Sequence, residues 1–308
     1  MGFQREVVER LRGVIIALPT PMRADGQVDA RGVGDLVGWL VDRGVDGIFA
    51  CGTTGEGPLL DLEERVTVLR AAVTASAGRV PVVAQVGGMT TAGTIAAARS
   101  AVGAGVDALA VMAPFYFRHS EAAVIAHFAA VADAVPDHPV LLYNIPQHTG
   151  NAITPSVVRA LLGRPNLVGM KDSTGDPYGV LLISEAAGPA FRILVGADLL
   201  IPAMVAMGWA GTISGPAAAV PEPYVALWRA AARGSWPEVR EAYQQVAAVC
   251  RMLHNGASVP HIKAALALRG VIAPHVRAPL QPVAEGETQA LRSALERATG
   301  RLGALRAL

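Results

Sequence analysis

Short apolar runs separated by longer stretches of helical period recur along most of the chain. The runs are Val14–Leu18, Gly47–Cys51, Val80–Val86, Ala108–Ala113, Val140–Ile145, Leu167–Met170, Ile193–Val195 and Gly211–Ser214. They are short, mostly apolar on both sides of the pleat and often bounded by Gly or Pro, as expected of parallel strands covered on both faces. Between them Asp29–Arg43, Asp61–Ala77, Thr91–Ala104, Glu121–Ala134 and Thr154–Leu162 carry helical periodicity, several opening on Asp or Thr as N-caps. Eight such β-then-α units predict an α/β fold, a (β/α)8 TIM barrel; a doubly wound open sheet is the alternative. Beyond about Pro221 the strand-like runs stop. Tyr224–Arg233, Pro237–Leu253, Pro260–Leu268 and Glu285–Ala298 read as helices, and Val271–Pro282, with three prolines, reads as a loop. The expected division is residues 1–233 as the barrel carrying the active site and residues 234–308 as a C-terminal helical extension packed on it.

Composition narrows the function. With 308 residues, 52% of them hydrophobic, the chain can bury one large core. A formal net charge of +1 gives no electrostatic footprint for nucleic acid or a membrane surface, so small molecules are the expected partners. Met1 to Arg12 carries charges of both signs and no apolar core, so no signal peptide is expected, and no stretch of 18 uninterrupted apolar residues occurs. Cys51 and Cys250 form no CxxC, which argues against a disulfide framework or a thiolate zinc site and for a reducing cytoplasm. None of the seven histidines stands at metal-ligand spacing, so neither a metal nor another cofactor is expected.

Lysine usage is the sharper signal. The chain has two lysines against 24 arginines, and one of them, Lys171, closes the apolar run Asn166-Leu-Val-Gly-Met-Lys-Asp-Ser. Arginine supplies charge at least as well, but a guanidinium cannot form an imine. Lys171 therefore reads as a Schiff-base nucleophile, the alternative being a strand-end lysine paired with Asp172. Lys263, in a helical stretch after Pro260, reads as solvated or structural.

A barrel gathers functional groups at the C-terminal ends of its strands. Those ends here are Gly52-Thr-Thr-Gly-Glu-Gly, Pro114-Phe-Tyr-Phe, Tyr143-Asn-Ile-Pro, Lys171-Asp-Ser, Gly196-Ala-Asp and Ser214-Gly. Thr53 and Thr54, flanked by glycines, offer hydroxyls and backbone N–H groups to a small anion such as a carboxylate, although a tight turn with Thr caps has the same sequence. No phosphate-binding P-loop pattern is present. Tyr143 brings a phenol that could shuttle protons near a lysine amine, or simply an aromatic ring packed in the barrel mouth. Glu56 reads as structural, bonding loop amides beneath the site.

In combination and in order, Gly52-Thr-Thr-Gly-Glu, Tyr143-Asn-Ile-Pro followed by Thr149-Gly150, and Gly169-Met-Lys-Asp-Ser resemble the dihydrodipicolinate synthase/N-acetylneuraminate lyase family of pyruvate-dependent class I aldolases and lyases, from about Gly13 to Pro282. The resemblance implies that Lys171 condenses with the keto carbon of pyruvate and that Tyr143 is the acid/base. It implies that Thr53 and Thr54 hold the pyruvate carboxylate. Thr53 and Tyr116 would complete a proton relay, with Tyr116 acting across a subunit interface of a homo-oligomer, a dimer or tetramer. Gly196 and Ile213 would line the pyruvate pocket. The second substrate is an aldehyde or 2-oxo acid. His148 stands where the synthase carries an arginine that grips that substrate's carboxylate, which pulls towards 2-keto-3-deoxy sugar acid or 4-hydroxy-2-oxoglutarate aldolases and dehydratases. Thr53 leans towards the synthase and away from sialic acid lyases. Phe115 and Gly57 replace polar residues that help bind feedback lysine in some synthases, so that inhibition is not expected. A catalytically idle binding or regulatory member of the family and a metal-dependent aldolase on the same barrel are the remaining readings.

Overall fold

The structure is a computed structural model that describes residues 2–256 and 258–300; residues 301–308, the end of the expected extension, lie outside the described residues. Eight parallel strands, β1 (Gly13–Ala17), β2 (Gly47–Ala50), β3 (Val82–Gln85), β4 (Ala108–Met112), β5 (Val140–Asn144), β6 (Leu167–Asp172), β7 (Arg192–Val195) and β8 (Gly211–Ser214), close a barrel in sequence order. β8 returns to β1 with Gly13 opposite Gly211 and Ile16 opposite Ser214. The strands are buried on both faces because their residues feed two separate apolar layers. Ile15, Phe49, Val83, Leu141, Leu194 and Ile213 fill the interior. Val14, Ile48, Val82, Leu142, Met170 and Ile193 point outward against the surrounding helices.

A helix that the apolar pattern did not announce, Gly2–Arg10, precedes β1. Val7 and the following Leu11 join the interior layer and close the N-terminal end of the barrel. The five helices expected between the strands form, each behind a side-chain cap. Asp29, Thr90, Ser120 and Thr154 accept from Gly32, Gly93, Ala123 and Val157, and Asp61 with Glu64 makes a full capping box. Each cap is worth about 1 kcal/mol and fixes where the chain leaves its loop. Pro177–Ala187 and Ile201–Ala206, which follow β6 and β7, complete the ring where no clear helical period is visible along the chain.

The C-terminal helices are Glu222–Ala232, Trp236–Met252, Val259–Leu268 and Glu285–Gly300, with no regular structure over 271–282. Paired ionic contacts tie this region to the barrel. Glu222 pairs with Arg43 of the barrel at 3.2 Å and with Arg269 within the region at 2.6 Å, and Arg277 grips Glu64 at 2.6 and 3.1 Å. Among the described residues no helix is long and apolar enough to cross a membrane.

One buried group links this packing to pH. His127, on the helix Glu121–Asp133, sets its Nδ1 2.9 Å from Thr91 Oγ1 and buries Nε2 without a partner. Burial, assisted by the nearby His119, holds its imidazole down to about 4. The unfolded chain therefore binds a proton that the folded chain refuses, so His127 contributes stability above pH ~6.5 that is lost as pH falls towards 4. Allowing for residual solvent, the loss is about 2 kcal/mol. His127→Gln should flatten the decline of melting temperature over that interval. Parallel profiles for the two proteins would show that His127 does not carry it.

Candidate active site

Tyr143 on β5 stands opposite Lys171 on β6, and Asn144 opposite Asp172. How Lys171 comes to face inward is not a matter of simple alternation. Val140 pairs with Leu167, but the next residue, Leu141, pairs with Gly169. β6 therefore carries one residue more than β5 across this step, a β-bulge of the kind that re-aims side chains beside active sites. Leu167 belongs to the outer layer, and strict alternation from it would send Lys171 out among the helices. The extra residue reverses the parity, so that Lys171 shares the interior face with Tyr143.

Inside, Lys171 is 4% exposed and Tyr143 1%. The Lys171 Nζ lies 4.2 Å from the centroid of the Tyr143 ring and 4.4 Å from that of Phe49, and the two rings meet edge to face at 5.8 Å. Gly196, at the end of β7, leaves room for the lysine: a Cβ there would stand 3.1 Å from Lys171 Cε and 2.2 Å from Ser173 Oγ. The amine has no carboxylate partner among the described residues. Asp172 is next in sequence but faces the outer layer, where it accepts hydrogen bonds from Asn144 Nδ2 and from the amide and hydroxyl of Thr174. Burial pushes the Asp172 carboxyl above its ordinary range, against the pull of those bonds. The reading of Lys171 as the ionic partner of Asp172 is thus corrected by the pleat, which separates them. A nitrogen with no carboxylate in contact, Asp198 acting on it only at a distance, walled by two rings and set beside a phenol, is suited to imine formation with a carbonyl compound.

The loop after β2 reaches the same place. Thr53 Oγ1 is 3.4 Å from the Tyr143 hydroxyl. Thr54 is buried beside Gly215, where a Cβ would lie 2.8 Å from its hydroxyl, and Ile213 is in the interior layer below. Lys171, Tyr143, Thr53, Thr54, Gly196 and Ile213 therefore converge at the C-terminal end of the barrel. Glu56 is structural and bonds a loop amide, although the loop is the distant segment 271–282. It accepts the Arg277 amide and pairs with Lys263, which is structural and fully buried.

Two expected residues stand at the rim. His148 is solvent-exposed on the short helix Pro146–Thr149, which Pro146 begins. Tyr116 is 82% exposed with φ +81°, edge-on to Phe117, and among the described residues makes no hydrogen bond with Thr53 or Tyr143. Sequence reasoning missed Asn151, whose buried amide donates to the carbonyls of Pro114, Phe117 and Thr149 and accepts the His119 amide, joining the Tyr116 loop to the His148 turn. It also gave Asp198 no role. That carboxylate accepts from Ser214, Tyr224 and Cys250, and burial pushes the acid and the Tyr224 phenol up and the thiol to about 12. Its partners are scattered over three elements, and no local spacing announces them. No group of three or more His, Cys, Asp or Glu side chains among the described residues could hold a metal ion.

Known proteins share both sequence and architecture. Residues 10–298 match the Dihydrodipicolinate synthetase family. The 4-hydroxy-tetrahydrodipicolinate synthase of Methanosphaerula palustris is 35% identical over 286 residues, 92% of this chain and 98% of that protein. That of Neisseria meningitidis serogroup C is 35% identical over 292 residues, 95% of this chain and 100% of that protein. Among solved structures, YagE, a prophage protein of the dihydrodipicolinic acid synthase family from E. coli K12 in complex with pyruvate, superimposes with a TM-score of 0.88 at 32% identity, over 94% of this chain and 98% of that one. The Aquifex aeolicus dihydrodipicolinate synthase gives 0.88 and 32% over 93% and 97%. With the family matched over nearly its whole length and the same barrel around the inward-facing lysine, this chain belongs to the dihydrodipicolinate synthetase family.

Proposed function

We propose that the protein is a Schiff-base-forming, pyruvate-dependent synthase that condenses pyruvate with an aldehyde, as its relatives named 4-hydroxy-tetrahydrodipicolinate synthase do. The observation that carries this is the buried, unpaired Lys171 held 4.2 Å from the Tyr143 ring at the C-terminal end of the barrel. The pyruvate bound to YagE supports the choice of substrate. In the proposed reaction the Lys171 amine attacks the keto carbon, and Tyr143 protonates the hydroxyl that leaves as water. The protonated imine then draws electrons from the methyl group, which loses a proton to give the enamine. The enamine carbon bonds to the aldehyde carbon, whose oxygen takes up, through Tyr143, the proton lost by the methyl group, and water hydrolyses the product imine to free Lys171. Thr53 and Thr54 hold the carboxylate of pyruvate throughout, Thr53 links Tyr143 to the relay, and Gly196 and Ile213 shape the pocket. No cofactor is invoked.

The assembly proposed is a homo-oligomer, a dimer or homotetramer, in which Tyr116 reaches a partner's site. Its exposure and its left-handed backbone, a conformation that persists only where surroundings enforce it, support this. A cytoplasmic setting is supported by the two free, buried thiols.

One observation favours a second substrate class. His148, exposed at the rim, lacks the charged fork that grips a carboxylate, so a 2-keto-3-deoxy sugar acid or 4-hydroxy-2-oxoglutarate aldolase or dehydratase is the alternative. Incubation of pyruvate with a panel of aldehydes, products read by mass spectrometry, separates the two. On either reading His148→Arg should raise kcat/KM for aspartate semialdehyde relative to glyceraldehyde by about tenfold or more, since charge-assisted bidentate bonds are worth roughly 1.5–3 kcal/mol and a neutral aldehyde offers the fork nothing. A ratio that does not move would remove His148 from selectivity.

A further inference from the structure

The loop that carries Thr53 and Thr54 is bracketed by two non-glycine residues in the left-handed region, Cys51 at φ +58° and Glu56 at φ +57°. Such a backbone persists only where its surroundings over-determine it. Within and beside the loop, the Glu56 amide donates to Thr53 O at 3.1 Å, the Gly57 amide to Gly52 O at 3.0 Å, and Thr20 Oγ1 to Gly55 O at 2.6 Å. The left-handed turn at Glu56 sends its side chain away from the barrel mouth into the C-terminal region. There Glu56 pairs with Lys263, both side chains wholly buried, and accepts the Arg277 amide at 2.7 Å. Lys263 also donates to the His275 carbonyl at 2.8 Å.

The residue before Lys263 on the helix Val259–Leu268, Ile262, stands beside Gly215, the same glycine that Thr54 packs against. A Cβ built on Gly215 would meet both Thr54 Oγ1, at 2.8 Å, and Ile262 Cδ1, at 3.4 Å. Burial holds the Lys263 amine below its ordinary range, against the pull of Glu56. A compact ammonium serves a carboxylate and a carbonyl in a closed slot where a planar fork needs more space, which accounts for a lysine in a chain that elsewhere uses arginine.

We propose that Lys263 is a positioning residue for pyruvate: by anchoring Glu56 it holds the Thr53–Thr54 loop in the shape that receives the carboxylate. This rests on the pyruvate reading of the site above. The second lysine of the chain thereby serves the chemistry of the first without touching substrate.

The test is reductive trapping with borohydride across a range of pyruvate concentrations, scored as the adduct on Lys171. In Lys263→Met, which leaves Lys171 as the only lysine, the half-saturating pyruvate concentration should rise at least tenfold, with the wild-type extent of labelling still reached at saturation. A lysine that merely stabilised the fold would change the number of active molecules instead. It would lower the final extent and leave half-saturation where it was, and that result, or no change at all, overturns the proposal. Should Lys263→Met not accumulate as folded protein, Glu56→Gln is scored the same way, since it keeps the side-chain shape and the acceptor for the Arg277 amide while removing the ionic partner. A rise of at least threefold supports the proposal, and an unmoved half-saturation overturns it. Absence of any adduct in the wild-type protein would instead refute the pyruvate reading on which it rests.

Discussion

Borohydride added in the presence of pyruvate is expected to leave a single pyruvate-derived adduct, on Lys171, and Lys171→Met is expected to lose both the adduct and turnover. The loss should be on the order of 10⁴–10⁶-fold, the scale reached when a covalent nucleophile is removed from an intact site. Methionine keeps most of the stem between Phe49 and Tyr143, so the rings retain their support and the barrel should stay folded. The labelling should be clean, because the competing primary amines are the amino terminus and Lys263, and Lys263 is fully buried against Glu56. Peptide mapping of the reduced protein reads the result. Label on another residue, or none, would sink the imine mechanism.

Tyr143→Phe should lower kcat by about 10²–10⁴-fold, the range for a positioned general acid/base. The ring would remain, edge-on to Phe49 and packed in the interior layer, so the melting temperature should hardly move. Only the hydroxyl would go, the atom 3.4 Å from Thr53 Oγ1. Imine formation and breakdown should both slow, while the extent of borohydride labelling at long incubation approaches that of the wild type. Turnover equal to the wild type would return Tyr143 to a packing role.

The barrel was legible because each strand is a short apolar run bounded by turn residues, and because helix starts such as Asp61 with Glu64 advertise their caps. The site was legible as residue types at strand ends, above all a lysine in a chain that avoids lysine. What stayed hidden depends on contacts between distant segments. The helix Gly2–Arg10 has too few apolar positions to declare itself, and its burial is visible only once Val7 and Leu11 meet the barrel floor. Glu56 lies 207 positions before Lys263, so neither could be seen as the other's partner. Asn151 looked like an ordinary turn residue, yet its four hydrogen bonds set two rim loops against each other.

The bulge in β6 has a consequence for how this protein tolerates change. The direction of Lys171 is set by the number of residues between Leu167 and the nucleophile, with Gly169 needed at the bulge, where a Cβ would stand 2.3 Å from the Arg192 carbonyl oxygen. Away from Gly169, substitutions along that stretch weaken packing by about a kcal/mol or two without changing the count that aims the lysine. Losing or gaining one residue does so at a stroke, and it would bring Asp172 into the barrel in its place. The aim of the nucleophile is thus a counted quantity, buffered against point mutation outside Gly169 and exposed to a single-codon deletion or insertion.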